Sequence, residues 1–137
     1  MEERWIIPSN TKYFDVVSYL EKNNEIVFRR ISALREGDIV YIYVTAPYSE
    51  IKYRGHVICD QVSDDEMKSN EYAIPTKSYD LRKNRYIKIE IDYRYPEGTF
   101  CLNELKQHGL GQMQMQARTD RKVQQYIDEI EKKLGIR

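Results

Sequence analysis

Six consecutive apolar residues, Ile39–Val44, directly follow Gly37 and Asp38 in this 137-residue chain. Glycine and aspartate are favoured in tight turns, and a short unbroken apolar run after a turn is typical of a strand covered on both faces. The next apolar segment, residues 51–58, alternates instead. One of its faces carries Ile51, Tyr53, Gly55 and Val57, and the other carries Lys52, Arg54 and His56. The pattern therefore predicts a central strand beside a half-exposed one.

A longer alternation covers residues 85–95. Its apolar and aromatic side is formed by Ile87, Ile89, Ile91, Tyr93 and Tyr95, and its charged side by Lys88, Glu90, Asp92 and Arg94. A strand with one buried face has a strongly specified register, because a slip of one residue would turn every side chain to the other face. The segment therefore predicts one long strand without a slip in register.

Shorter strands are predicted near the amino terminus. Residues 4–7 predict a first strand that stops at Pro8, because proline has no N–H to donate to a ladder. Residues 26–31 are compatible with an extended segment, and the acidic residues 63–69 predict a surface excursion.

Helices are predicted at three places. Apolar residues near helical spacing predict a first helix over residues 13–22 and a short helix near Leu102. A terminal helix is predicted to be capped by Thr119 or Asp120 and to stop at Gly135. Together with the strands, these helices predict an α+β protein with a strongly curved mixed sheet or small β-barrel flanked by helices.

Length and charge set limits on what this chain does. A chain of 137 residues is expected to form one domain, residues 1–137. The 22 basic and 22 acidic residues cancel, so no global field attracts nucleic acid and any such binding must be local. The amino terminus lacks a signal-peptide pattern and no apolar run is long enough to span a bilayer, so we expect a cytoplasmic protein without a membrane partner.

Sequence motifs for catalysis are missing. The chain has no phosphate loop, no dinucleotide-binding glycine pattern and no hydrolase or metalloprotease motif. Its two histidines, His56 and His108, are expected to be ordinary strand or surface residues, and Cys59 and Cys101 to be buried thiols outside any metal-binding pattern. We therefore expect no catalytic site, no metal and no cofactor.

Tyrosine is unusually frequent, with 12 residues against one tryptophan and three phenylalanines. A tyrosine can stack on a nucleic-acid base and hydrogen-bond its edge, but tyrosines also fill half-buried sheet faces because of their strand propensity. Both interpretations stay open for any single tyrosine.

An ordered set of features runs along the chain: Trp5 on the first strand, a turn at Pro8-Ser9-Asn10, aromatic Phe28 ahead of the Gly-Asp turn, and an apolar strand ending in Tyr43-Val44-Thr45. In this order the chain resembles the EVE domain, a family of the PUA-like superfamily that also contains YTH and ASCH domains. The family pattern usually has Lys-Ser-Glu-Pro at residues 7–10, tryptophan near residue 28 and histidine at residue 44. This chain departs from the pattern at those positions.

The resemblance implies a PUA-like fold and a non-enzymatic module that binds DNA or RNA. It implies recognition of a modified base, such as methylated or hydroxymethylated cytosine or methylated adenine, by flipping the base into an aromatic pocket. The ligand-binding residues implied are Trp5, Pro8, Ser9, Asn10, Phe28, Arg29, Tyr43 and Thr45. Phosphate contacts are expected from Arg29, Arg30, Lys52 and Arg54. An effector protein, such as a nuclease, is a further partner that the resemblance implies.

Two alternatives stay open at this point. The chain is also similar to ASCH-type small amidohydrolases that act on modified cytidine with a lysine and a glutamate, which would here be Lys52 and Glu90. A protein-interaction adaptor would instead use residues 112–115, Gln-Met-Gln-Met, as an edge for strand pairing.

Overall fold

The computed structural model describes residues 2–29, 33–60, 86–111 and 116–136. Within these residues the strands are β1 (Arg4–Ser9), β2 (Glu25–Arg29), β3 (Ile39–Val44), β4 (Glu50–Cys59), β5 (Tyr86–Arg94) and β6 (Ala117–Arg118). The helices are α1 (Val16–Lys22), α2 (Leu102–Gln107) and α3 (Arg121–Lys133). The predicted α+β class is confirmed.

The strands form one mixed sheet in the order β2-β5-β4-β3-β1-β6. β1 and β3 are parallel, and the other neighbouring strands are antiparallel. The two outer edges approach each other, because the side-chain amide of Gln116, next to β6, donates to the carbonyl of Arg29 in β2 at 2.5 Å. The sheet is therefore curled, as the sequence predicted.

Each face of the central strand β3 packs into a different core. Val40, Ile42 and Val44 lie in the α1 core, which contains Trp5, Ile7, Val16, Leu20, Ile26, Leu34, Tyr53, Val57, Ile87, Ile89 and Ile91. Tyr41 and Tyr43 lie in the α3 core, which contains Ile6, Ile51, Tyr95, Phe100, Leu105, Val123, Tyr126 and Ile127. Burial of one such apolar side chain contributes about 1.5–3 kcal/mol. The prediction that β3 is covered on both faces is confirmed.

The prediction of an unbroken register along residues 85–95 is wrong. Arg54 pairs with Tyr93 but the next residue, Gly55, pairs with Ile91, so Asp92 is an extra residue in β5. An extra residue reverses the alternation beyond it. Ile91 consequently faces the α1 core, whereas Tyr95 lies in the α3 core.

The prediction that Ile51 and Tyr53 lie on one face of β4 is wrong, because the pairing of β3 with β4 also shifts in register. Ile42 pairs with Tyr53 and Tyr43 pairs with Ile51, so Lys52 is the extra residue. Ile51 therefore packs in the α3 core and Tyr53 in the α1 core, although the sequence pattern placed both on one face.

The predicted stop at Pro8 is also wrong, because β1 continues to Ser9. The carbonyls of Glu3 and Ser9 accept from Ile39 and Thr45 on the β3 side, whereas the carbonyl of Arg4 accepts from Thr119 on the β6 side. Pro8 therefore faces the β6 side, and β6 pairs only with Trp5 and Ile6. The missing N–H falls beyond the end of that ladder, so β1 loses no bond.

Helix boundaries follow from their caps. α1 begins at Val16 rather than residue 13, because the Asp15 carboxylate accepts from the Ser18 N–H at 3.2 Å and residues 11–13 form a turn. The terminal helix has the predicted cap, since Asp120 accepts from the Val123 N–H at 2.9 Å. The short helix at Leu102 is confirmed.

Three predictions lie outside the described residues: the surface excursion at 63–69, the edge at 112–115 and the phosphate contact of Arg30. Among the described residues, no helix has both the length and the apolar composition that crossing a bilayer requires.

Candidate functional site

The ends of the parallel strands β1 and β3 meet at one margin of the sheet. The N–H of Thr11 donates to Thr45 Oγ1 at 3.1 Å, and the Thr11 hydroxyl donates to the Ala46 carbonyl at 2.6 Å. The N–H of Thr45 donates to the Ser9 carbonyl at 3.2 Å. These bonds join the turn after β1 to the turn after β3. We call residues 9–13 and 45–48 the β1/β3 edge.

Three predicted ligand-binding residues lie in the β1/β3 edge: Ser9, Asn10 and Thr45. The side-chain oxygen of Asn10 accepts from the N–H of Lys12 at 2.9 Å, and the backbone carbonyl of Asn10 accepts from the N–H of Tyr13 at 3.0 Å. Such a side-chain bond two residues ahead builds a compact turn. The edge is therefore a hydrogen-bonded polar surface whose backbone is held by its own side chains.

Two exposed tyrosines belong to this edge, and sequence reasoning did not select either. Tyr13 is 45% exposed and Tyr48 is 39% exposed. Lys12 Nζ lies 5.8 Å from the Tyr13 ring centroid, and Lys52 Nζ lies 5.0 Å from the Tyr48 ring centroid. An accessible ring beside a cation suits both a stacked base and the neighbouring phosphate. The sequence does contain a signal for this surface, namely a polar turn after β1 and another after β3. Only the pairing of β1 with β3 brings these two turns together.

Another ring and cation lie together on β4 and β5, where Tyr53 is buried and Arg94 is exposed. The Arg94 guanidinium lies 5.9 Å from the Tyr53 ring and donates to the backbone carbonyls of Leu20 and Asn23. Burial raises the pKa of Tyr53 above its ordinary value, although the charge of Arg94 acts in the opposite direction. Tyr53 therefore stays neutral at physiological pH.

Trp5, the predicted stacking residue, lies away from the β1/β3 edge, because it pairs with Val40 near the start of β3. Only 5% of it is exposed, and its Nε1–H donates to Asp38 Oδ2 at 2.9 Å. The Asp38 carboxylate also accepts from the N–H groups of Glu3 and Arg35, both at 3.0 Å. In this structure the Trp5 indole connects the start of β1 to the Gly-Asp turn.

The other predicted ligand-binding residues do not assemble into one pocket. Pro8 pairs with Tyr43 next to the edge, but Tyr43 is buried in the α3 core, where burial raises its pKa. Phe28 and Arg29 end β2, which runs antiparallel to β3. They therefore lie toward the opposite end of the sheet from Ser9.

The predicted phosphate-binding cations Arg54 and Lys52 have carboxylate partners. Arg54 Nη1 lies 2.9 Å from Glu131 Oε2, and the hydroxyl of Tyr95 donates to the same oxygen at 2.6 Å. Burial lowers the pKa of Arg54, but the charge and hydrogen bond of Glu131 outweigh it, so the pKa is raised. Lys52 Nζ lies 3.8 Å from Glu50 Oε2, and the two side chains are only 15% and 5% exposed.

No family model and no curated protein matches the chain. Solved structures do match. A protein from Leishmania major is 15% identical with a TM-score of 0.66, and the match covers 98% of each chain. The ASCH protein of Zymomonas mobilis is 14% identical with a TM-score of 0.63, over 93% of this chain and 94% of that one.

The human THYN1 protein, in a complex with DNA that contains 5-methylcytosine, is 10% identical with a TM-score of 0.63. That match covers 95% of this chain and 98% of the human one. The chain has a PUA-like fold. Identities this low concern the fold alone, so membership of the EVE family within the PUA-like superfamily stays a prediction.

The lysine and glutamate of the enzyme alternative lie apart in this PUA-like fold. Glu90 pairs with His56, and the carbonyl of Lys52 accepts from the N–H of Tyr95. His56 lies four positions beyond Lys52 in β4, which corresponds to roughly 13 Å along a strand. Lys52 is instead beside Glu50, whose carboxylate accepts from the N–H of Gly98 at 2.8 Å.

Proposed function

We propose that this protein is a non-enzymatic nucleic-acid-binding module that reads a modified base at the β1/β3 edge. The observation that carries the proposal is the pair of exposed tyrosines, Tyr13 and Tyr48, each beside a lysine and each in one of the two turns that the Thr11–Thr45 hydrogen bond joins. The complex of human THYN1 with 5-methylcytosine DNA supports it, because a protein of the same fold binds such a ligand.

The chemistry of the edge matches an extruded base. Stacking on Tyr13 or Tyr48 is worth roughly 1–3 kcal/mol per base. In this proposal Asn10 and Thr45 hydrogen-bond the edge of the base, although Asn10 Oδ1 and Thr45 Oγ1 also accept from the N–H groups of Lys12 and Thr11. A methyl or hydroxymethyl group is then distinguished from hydrogen by apolar contact, which supplies only about 1–3 kcal/mol. We therefore expect a finite preference for the modified base rather than absolute selectivity.

Phosphate contacts come from the two lysines in this proposal. Lys12 and Lys52 lie beside the exposed rings. Lys52 also pairs with Glu50, but at 3.8 Å rather than the 2.9 Å between Arg54 and Glu131, so a phosphate replaces a longer contact at Lys52. Two phosphate contacts predict that affinity falls only weakly as salt is added. Each contact contributes about 0.7–0.9 to the slope of the logarithm of the binding constant against the logarithm of the salt concentration. An effector protein, such as a nuclease, stays a prediction.

The test is fluorescence anisotropy with oligonucleotides at fixed salt. The probes contain cytosine, 5-methylcytosine, 5-hydroxymethylcytosine or N6-methyladenine, as DNA and as RNA. We expect one modified probe to bind best, and Tyr48→Ala and Tyr13→Ala each to weaken that probe by roughly 5- to 100-fold through lost stacking.

Leu134→Ala is the matched control, because Leu134 is a 41% exposed apolar side chain just after α3 and outside the edge. The proposal fails if no probe is preferred, or if Leu134→Ala weakens binding as much as Tyr48→Ala does. Turnover of an acylated cytidine by the same preparation would overturn the non-enzymatic part and favour the amidohydrolase.

A further inference from the structure

A second group of polar side chains lies on β4 and β5, on the face opposite the α1 core. His56 pairs in register with Glu90, and His56 Nε2 lies 3.8 Å from Glu90 Oε1. His56 Nδ1 lies 3.0 Å from both carboxylate oxygens of Asp92. One possible ligand atom from each side chain lies within 4.8 Å of the others. We propose that His56, Glu90 and Asp92 bind a divalent transition-metal ion of the zinc class.

The bulge in β5 produces this arrangement. Asp92 is the extra residue between the pairs Arg54–Tyr93 and Gly55–Ile91. Bulges re-aim side chains and are over-represented beside functional sites. Here the bulge brings the Asp92 carboxylate to His56, while Ile91 on its other side stays in the α1 core. The three ligands are thus carried by paired strands whose opposite face is packed.

The chemistry of the ligand set selects the class of ion. Imidazole suits zinc and other first-row transition metals, whereas calcium and magnesium prefer oxygen ligands alone. One histidine and two carboxylates supply three ligands, which leaves a fourth position open on a tetrahedral zinc ion. The side chains of His56, Glu90 and Asp92 are 35%, 42% and 41% exposed, so water and the ion have access.

The observed separations require only a modest rearrangement. Zinc lies about 2.0–2.2 Å from nitrogen and oxygen ligands, so ligand atoms of a tetrahedral site are roughly 3.3–3.6 Å apart. The 3.0 Å contact joins His56 Nδ1 to Asp92, whereas the 3.8 Å contact joins the other ring nitrogen, Nε2, to Glu90. Since one nitrogen binds the ion, the three ligand atoms start within 4.8 Å of one another and must draw together by about 1 Å. Rotation of partly exposed side chains closes the difference. This site goes beyond the expectation from the sequence that His56 is an ordinary strand histidine, and it does not depend on the proposed base reading.

The experiment titrates untagged protein with Zn²⁺ by isothermal calorimetry and with Co²⁺ by visible absorbance. We expect one ion per chain and Co²⁺ bands that report the coordination. Even substitutions of residues that only support metal ligands weaken metal binding by roughly 10–100-fold. We therefore expect at least that loss for His56→Ala and for the isosteric Asp92→Asn, with unfolding profiles measured in parallel.

Two controls test the other metal-binding side chains. His108→Ala removes the other histidine of the chain, whose Nδ1 lies 2.9 Å from the Glu104 carbonyl, and Cys59→Ser removes the thiol three residues beyond His56. Both variants should bind Zn²⁺ as the wild type does. The proposal is overturned if the wild type does not bind either ion, if folded Asp92→Asn binds unchanged, or if His108→Ala or Cys59→Ser abolishes binding.

Discussion

Gly55 is the position where one added methyl group should most disturb the sheet. A Cβ at this residue would lie 2.3 Å from the carbonyl oxygen of Glu90 and 2.8 Å from Cγ2 of Ile89. Carbon and carbonyl oxygen normally approach to about 3.3 Å. Gly55→Ala therefore forces β4 and β5 apart by roughly 1 Å at this point, beside the bulge at Asp92.

The cost can be estimated from two contributions. Overpacking a tight site costs about 1–3 kcal/mol, and the two neighbouring ladder hydrogen bonds are each worth about 0.5–1.5 kcal/mol if they weaken. We therefore expect Gly55→Ala to lower the free energy of unfolding by roughly 2–6 kcal/mol. For a chain of this length the melting temperature should fall by about 8–24 °C.

The assay is urea unfolding followed by circular dichroism, with the slope of the transition compared between variants. Gly111→Ala is the matched control, because a Cβ there meets nothing within 4 Å, and its unfolding free energy should stay within about 0.5 kcal/mol of wild type. The explanation is refuted if Gly55→Ala is as stable as Gly111→Ala.

Two further predictions concern buried polar groups. Burial, followed by the hydrogen bond to Glu131, raises the pKa of Tyr95, so the folded state keeps this proton when the unfolded state has lost it. The associated stability is complete well below pH 10 and declines above it, with a slope that approaches about 1.4 kcal/mol per pH unit for this one group. Tyr95→Phe should reduce the decline between pH 10 and 11 by about 1 kcal/mol, because the unfolded tyrosine is only half ionised at pH 10. An unchanged slope would contradict the assignment. Asp38→Asn should lower the free energy of unfolding by about 1–3 kcal/mol, because one carboxylate oxygen that accepts from Trp5 or from a backbone N–H becomes an NH₂ group. The test compares the melting temperature of Asp38→Asn with that of Asp128→Asn, a control at a 55% exposed side chain. Equal melting temperatures for the two variants would be evidence against the prediction.

Local patterns predicted the elements whose signals are complete within a few residues. The apolar run of β3 has both faces covered, and the Asp120 side chain caps α3 as predicted. These features depend on the turn, the cap and the periodicity of one segment, and each of those is visible in consecutive residues.

Side-chain direction beyond a bulge was not predictable in the same way. The alternation is unbroken over residues 87–95 of the sequence, yet Tyr95 faces a different core from Ile91. The reversal arises because Gly55 of the neighbouring strand pairs with Ile91 and leaves Asp92 unmatched. No periodicity within one strand contains that information.

The candidate functional site also combines features that local sequence predicted with features that it did not. The sequence predicted Ser9, Asn10 and Thr45 as ligand-binding residues, and the structure brings these three together at the β1/β3 edge. The sequence did not distinguish the exposed Tyr13 and Tyr48 from the buried tyrosines. Exposure depends on which helix covers each sheet face, so it is a property of the assembled chain.

The sequence by itself determined the α+β class, the central strand and the cap of the last helix, because propensity, turn chemistry and hydrophobic period act between near neighbours. Only the tertiary structure decided the pairing of Arg54 with Glu131, which is 77 residues away, and the meeting of His56 with Asp92. Such contacts depend on strand order, bulges and helix packing. They are set when distant segments bury their apolar faces together, so the functional hypotheses rest on that packing.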